Sequence, residues 1–191
     1  MIVEGLISTR DDDGRSHWSA IGPDVDESFG RFELRPFQTS RTCRNLLRSG
    51  QGVFHVTDDV ESIAAAVSGQ DFSPERLVRA KQIEGVVLAS ACRAYELVVI
   101  YRDASAPRAI LSCSVLQTHR FRDFFGFNRA KHAVIEAAIL ATRAQFLPQM
   151  EIEAKWNWLR PIVEKTGGDA ELRAFDQLTE FVRRAAQPHT I

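Results

Sequence analysis

RPFQTSRTCRN, residues 35–45, joins two different patterns in the chain. Before it, Phe29 to Leu34 alternates as a β-strand, and Pro36 stops that strand by removing an amide donor and restricting the residue ahead of it. After it, Ser40 is a natural helix N-cap, Cys43, Leu46 and Leu47 share one apolar face, and Gly50 is placed to end the helix. The stretch is therefore a strand-to-helix turn carrying Arg35, Thr39, Ser40, Thr42 and Asn45. A helix N-terminus presents unpaired amides and a partial positive charge, and hydroxyls and a guanidinium add directed donors, a combination suited to a phosphate monoester. The same residues equally describe an ordinary capped helix. Arg41, Arg44 and Arg48, at i, i+3 and i+7, form one stripe: a basic face or, as expected for Arg44 and Arg48, a solvated surface.

Working outward, residues 2–9 and 16–22 read as strands flanking RDDDG, a hairpin turn. GVFHVT (52–57) follows the 40–49 helix, and Asp58 or Asp59 caps a short helix through VESIAAAV. Segments 84–90, 94–101 and 108–117 are β-rich. Six or seven short strands joined mostly by loops argue for an antiparallel barrel or sandwich. After Asn128 the chain turns helical, with Val134, Ile135, Ala138, Ile139 and Phe146 at helical spacing. Pro148 ends that helix, a second carrying Trp156 and Trp158 meets Pro161, and a third follows Asp169 with Leu172, Phe175, Leu178 and Phe181 inward.

The 191 residues carry a net charge of −1 from 24 basic and 25 acidic side chains, so any anion site must be local and no nucleic-acid or membrane partner is expected. Cys43, Cys92 and Cys113 are odd in number and form no CxxC pair, which argues against disulfides and zinc and for a reducing, cytoplasmic setting. No signal segment or membrane span is expected. GxxxxGK[ST], GxGxxG, HExxH and GxSxG are all absent. His17, His55, His119, His132 and His189 show no ligand spacing, so no metal site is expected. Cys43 reads as an apolar helix residue more readily than as an activated thiol.

The order of hairpin, strand, RPFQTSRTCRNL, helix and GVFHVTDD, followed by GFNRAKHAVIEAAILATR at 126–143, resembles the flavin reductase-like FMN-binding split barrels, and within them the family called domain of unknown function 447. The resemblance covers nearly the whole chain. It implies a mainly β fold, a six-stranded antiparallel Greek-key split barrel over 1–125 with a C-terminal helical extension over 126–191. It also implies a homodimer with FMN at the subunit interface. The phosphate then maps onto Arg35, Thr39, Ser40, Thr42 and Asn45, and the isoalloxazine onto the backbone of Ser19, Ala20, Ile21 and Gly22, with Trp18 at its border.

Asn128 and Arg129 are further candidate cofactor contacts: Asn128 is a second candidate N-cap, and Arg129 and Lys131 lie in the turn after it, where like charge opposes the dipole unless an anion is present. Pairing of either with a carboxylate such as Asp123 is the alternative. Phe121, Phe124, Phe125 and Phe127 read as core or dimer packing, with a ligand cleft as the alternative. The expected activity is that of an FMN-dependent oxidoreductase acting on an unidentified small substrate, with no acid or base identifiable. Its rivals are a non-catalytic flavin carrier or sensor, and a nucleic-acid or partner-binding module using 119–131.

Overall fold

β1 (Gly5–Arg10) and β2 (Ser16–Ile21) pair antiparallel across the RDDDG turn, where Gly14 takes a φ of 84°. The computed structural model describes residues 1–186, so His189 lies outside the described residues. β3 (Asp24–Val25), β4 (Arg31–Leu34), α1 (Arg41–Ser49) and β5 (Gln51–Val56) follow. After α2 (Val60–Val67) come β6 (Leu77–Arg79), β7 (Val86–Leu88) and the long hairpin of β8 (Arg93–Asp103) and β9 (Ile110–Arg120). One antiparallel sheet runs β2-β1-β5-β8-β9-β4-β3. Consecutive β5, β8 and β9 with β4 returned beside β9 make the Greek key.

The sheet has seven strands rather than the expected six. The expected strand at 16–22 ends as β2 at Ile21, and beyond Gly22 and Pro23, the latter unable to donate to a ladder, the short strand β3 is added. The two pieces lie at opposite ends of the strand order, β2 beside β1 and β3 beside β4. The ends meet through the Ile2–Asp24 bridge and the bonds Val3 N–H to Pro23 O and Val25 N–H to Met1 O. The segment expected as a strand at 84–90 stands outside the barrel, as β7 in a separate two-stranded sheet with β6.

By their contacts the residues divide into two units, 1–57 with 71–124, and 58–70 with the chain from 125 onward. A single cut at 125/126 places 58–70 with the barrel; their contacts place them with the C-terminal helices. The barrel interior holds Ile7, Phe32, Leu34, Phe54, Leu97 and Leu111, with Cys43 and Leu46 of α1 packed among them. On the other face of the sheet Val53, Ile83, Val87 and Ala94 cluster under the 71–92 segment. Polar bonds fasten that segment. Fully buried His55 accepts from Leu88 N–H through Nε2 and bonds Leu6 O through Nδ1, a neutral imidazole whose pKa burial pushes down to about 3. The buried Glu96 carboxylate accepts the Lys81 and Gln82 amides and His119 Nε2.

The second unit comprises α2, α3 (Arg129–Ala141), α4 (Gln149–Thr166) and α5 (Asp169–Ala186). Ala130, Ala133, Val134, Ala137 and Ala138 line the buried face of α3. Because α3 stops at Ala141, Phe146 is left exposed instead of continuing that face. α4 passes through Pro161 to Thr166, with Ile152, Trp156, Leu159 and Val163 buried on both sides of the proline; that burial offsets the lost helical bond. α5 turns Ala174, Phe175, Leu178 and Val182 inward and leaves Leu172 exposed.

Candidate functional site

The strand-to-helix turn is built as its residues dictate. The Ser40 hydroxyl accepts the Cys43 N–H at 3.1 Å and donates to Phe37 O at 2.7 Å, while its own N–H also bonds Phe37 O. Gly50 closes α1 with a φ of 70° and its N–H on Leu46 O. No acidic residue occupies the first turn. Ser40 is thus a cap whose donors are already in use.

Buried Asp11, from the hairpin turn, organises the next layer. Its Oδ1 accepts Arg41 Nε at 2.9 Å and Asn45 Nδ2 at 2.8 Å, and its Oδ2 accepts Arg41 Nη2. Asn45 Nδ2 also donates to Thr9 Oγ1 at 3.0 Å, so both of its amide hydrogens are occupied and only a carbonyl oxygen remains, the wrong polarity for a phosphate. Burial pushes the Asp11 carboxyl up, and the hydrogen bonds from Arg41 and Asn45, with the Arg41 charge, bring it below the usual aspartate value. His17, opposite Thr9 on β2, is held below the ordinary histidine value by burial and by Arg41 and Arg44, against Asp11 and Asp71. Burial raises the Cys43 thiol, which is fully enclosed and not an activated nucleophile.

The donors left open can now be named. Among the described residues, no hydrogen bond is made by the N–H groups of Arg41 and Thr42, by the Thr39 or Thr42 hydroxyls, or by Arg41 Nη1. Thr42 is 3 % exposed, and among the described residues no fully enclosed side-chain oxygen lacks a partner, so its hydroxyl sits where the buried side chain reaches solvent. Arg35 uses Nε and Nη2 on Glu33, at 2.7 and 2.6 Å. Arg44 bonds Thr39 O, and Arg48 bonds Arg10 O, so neither is a free solvated side chain. Thr39, Thr42 and Arg41 therefore form the open set; Arg35 stands apart, and Ser40 and Asn45 serve the scaffold.

Ser19, Ala20 and Ile21 lie on β2, which ends the strand order and pairs only with β1 within the sheet, leaving one backbone edge without a strand partner among the described residues. Gly22 follows at the break. Trp18 does not border that edge: it is buried and packs against the His55 and Phe72 rings at centroid distances of 5.2 and 4.6 Å.

In the second unit Asn128 caps α3, accepting Lys131 N–H at 3.0 Å and donating to Thr166 O at 3.1 Å. Lys131 Nζ bonds Asp58 O and Glu171 Oε1, both at 2.8 Å. Arg129 is exposed and has no partner among the described residues. Arg120 pairs with Asp123 and Lys131 with Glu171, so at least two of the four cations of 119–131 are matched by carboxylates within the chain, which weakens a nucleic-acid reading of that segment. Phe121, Phe124, Phe125 and Phe127 are exposed by 39, 50, 73 and 94 %, so none is core. Asp59, rather than Asp58, caps α2.

A cleft of ≈ 130 Å³ is lined by Phe29, Val56, Arg93 and Tyr95, among others, smaller than the roughly 300–1,000 Å³ of typical ligand pockets. Among the described residues no group of three or more potential metal ligands occurs, and no helix is long and apolar enough to cross a membrane.

Two family models match the chain: "Protein of unknown function (DUF447) N-terminal domain" over residues 3–121, and "Protein of unknown function (DUF447)" over residues 128–180. No curated protein matches. Among solved structures, an FMN-bound DUF447 protein from Methanosarcina mazei aligns over 94 % of each chain with a TM-score of 0.83 at 22 % identity. A 2-nitrobenzoate 2-nitroreductase from Pseudomonas fluorescens aligns over 61 % of this chain and 64 % of its own, with a TM-score of 0.51 at 16 % identity. The flavin reductase of styrene monooxygenase from Pseudomonas putida S12 aligns over 63 and 82 %, with a TM-score of 0.51 at 11 % identity. These likenesses show a shared fold.

Proposed function

This chain belongs to the DUF447 family, and we propose that it binds FMN with the flavin phosphate at the N-terminus of α1 and acts as a flavin-dependent oxidoreductase on a small substrate. The observation that carries this reading is the open donor set of two backbone amides, two threonine hydroxyls and one guanidinium nitrogen around a helix start without an acidic residue. That chemistry fits a phosphate monoester. The FMN-bound state of the Methanosarcina mazei relative supports the ligand, and the nitroreductase and flavin reductase among the structural neighbours support the activity.

Bound flavin supplies the redox chemistry. The chain's own part is to bind and orient: Thr39, Thr42 and Arg41 hold the phosphate, and the free edge of β2 from Ser19 to Ile21, with Gly22 just after it, offers backbone groups to the ring's polar rim. Arg35, with one guanidinium nitrogen still free of Glu33, is an outer contact. The ≈ 130 Å³ cleft cannot take a flavin ring, and four phenylalanines of one short segment are exposed. Both support a site completed by a second copy of the chain.

The test is titration of flavin-free protein with FMN and riboflavin, followed by anaerobic mixing of the FMN-loaded protein with NADH and NADPH. Preference for FMN and reduction of the bound flavin are expected. A protein that takes up no FMN removes the central claim; one that binds FMN but is reduced by neither donor is a carrier or sensor.

A further inference from the structure

Asp11 is unlike its neighbours. Asp12 and Asp13 of the same turn are exposed, whereas Asp11 is 5 % exposed. A buried carboxylate costs free energy unless its oxygens are occupied, and here both are, by Arg41 and Asn45 of the helix that starts the proposed phosphate site. The two bonds to Arg41 take Nε and Nη2, one edge of the planar guanidinium. Nη1 has no partner among the described residues, and the Arg41 side chain is 47 % exposed, so the remaining edge is open to solvent one residue from Thr42. Asn45, one helical turn on, ties the same carboxylate to Thr9 of β1, so the carboxylate itself cannot swing away.

We propose that Asp11 is a positioning residue that fixes Arg41 for the 5′-phosphate, and so makes the site select the phosphorylated flavin over riboflavin; this rests on the FMN reading above. A long arginine side chain loses rotamer freedom when it clamps an anion, and an arginine already held at one edge has less to lose. Asp11 also carries a negative charge, which opposes a phosphate. That repulsion acts over a longer distance than the attraction of Nη1, and it is offset by Arg41 itself, whose charge it pairs. Preorganisation and repulsion predict opposite signs for the same substitution.

The experiment measures FMN and riboflavin affinities by flavin fluorescence for the full chain and for Asp11→Asn, Arg41→Ala, Arg41→Lys and the Asp11→Asn/Arg41→Ala double variant. Asparagine keeps the shape of Asp11 but sets an amide donor against the guanidinium. Asp11→Asn and Arg41→Ala are each expected to weaken FMN roughly tenfold, the scale of one charge-assisted bond, and to leave riboflavin affinity within about twofold. The double variant is expected to be no weaker than Arg41→Ala alone, because Asp11 acts through Arg41. Arg41→Lys, which keeps the charge but cannot be held by the same fork, should lose FMN preference too. Equal loss of FMN and riboflavin in Asp11→Asn would show a structural role only, a gain in FMN affinity would show repulsion to dominate, and additive losses would uncouple the two residues; each overturns the proposal. If Asp11→Asn fails to fold by thermal melting, Arg41→Lys decides: unchanged FMN preference there overturns it. Failure of the FMN reading looks different, since the unaltered chain would then not distinguish FMN from riboflavin.

Discussion

α1 and α3 begin alike and end up serving different purposes. Each follows a side-chain N-cap, Ser40 or Asn128, each carries basic residues in its first turn, and neither has an acidic residue there. Such a start opposes the helix dipole and invites an anion. At α3 the chain supplies the anion itself: Lys131 reaches Glu171 and the Asp58 carbonyl, and Asn128 is used both as acceptor and as donor. At α1 the internal carboxylate, Asp11, takes only one edge of Arg41 and leaves Nη1 open, while the first two amides of both helices make no hydrogen bond among the described residues. One local pattern therefore has two outcomes, and what separates them is whether the distant carboxylate matches the cation outright, as Glu171 does Lys131, or leaves one edge of it open, as Asp11 does Arg41.

The largest effect expected from that contrast is on stability, at α3. Lys131 and Glu171 are only 16 and 10 % exposed, so Lys131→Met leaves a nearly buried carboxylate without its cation, a loss of about 3 kcal/mol. A melting temperature roughly 6–12 °C lower is expected for a chain of this size. FMN affinity should not change. A variant that melts like the parent would mean that the pair contributes nothing and that α3 is no better balanced than α1. The acid side of the stability curve sharpens the point. Burial raises the Glu171 carboxyl, but Lys131 and the Gly168 amide outweigh burial and hold it below the ordinary glutamate value. Its contribution is therefore present above pH 4.5 and lost as pH falls through the lowered value. In Lys131→Met burial acts without its main counterweight and Glu171 favours its neutral form. Acidification from pH 6 to 4 should then recover part of the lost stability, as read by chemical denaturation.

The barrel was legible in the sequence because its signals are local: alternation in the strands, Gly14 in the hairpin turn, Ser40 and Gly50 around α1. The strand count was not, since nothing local says that the pieces on either side of Gly22–Pro23 end up at opposite ends of the strand order. Within 35–45 the sequence marks the right turn but not which donors stay free. Asn45 looks like a ligand until Thr9 and Asp11, more than thirty residues upstream, occupy its amide, and the sequence leaves Arg41 open between a basic face and a solvated surface until Asp11 orients it. The DDD run reads as turn chemistry alone, and only burial separates Asp11 from Asp12 and Asp13. Trp18 went astray for a related reason: strand alternation gives two faces but does not say that the face bearing Trp18 is covered by the 71–92 segment.

Thr42→Val is the next largest expected effect and bears on the α1 side. It keeps the buried volume and removes only the hydroxyl, so FMN affinity should fall by about 1–1.5 kcal/mol, roughly tenfold, while riboflavin affinity and the melting temperature hold. An equal loss for both flavins would move the phosphate elsewhere and leave α1 as a capped helix like any other.

The smallest effect is reserved for Arg129, the exposed cation at the first position of α3. Its neighbourhood shares the α1 signal down to the first two amides, since the Arg129 and Ala130 N–H groups, like those of Arg41 and Thr42, make no hydrogen bond among the described residues; what it lacks is a guanidinium held by a carboxylate, and its Lys131 charge is matched by Glu171. If a guanidinium held in place by a carboxylate is what makes a helix start an anion site, Arg129→Ala should change FMN affinity by less than about twofold, the ordinary consequence of removing one screened surface charge. Titration in low and in physiological salt discriminates further, because a direct phosphate contact loses affinity steeply on substitution at both, whereas a distant charge matters only at low salt. A tenfold loss that persists at high salt would bring the α3 start into the flavin site alongside α1, and the contrast between the two helices would then be one of degree, with Arg129 taking at α3 the part that Arg41 takes at α1.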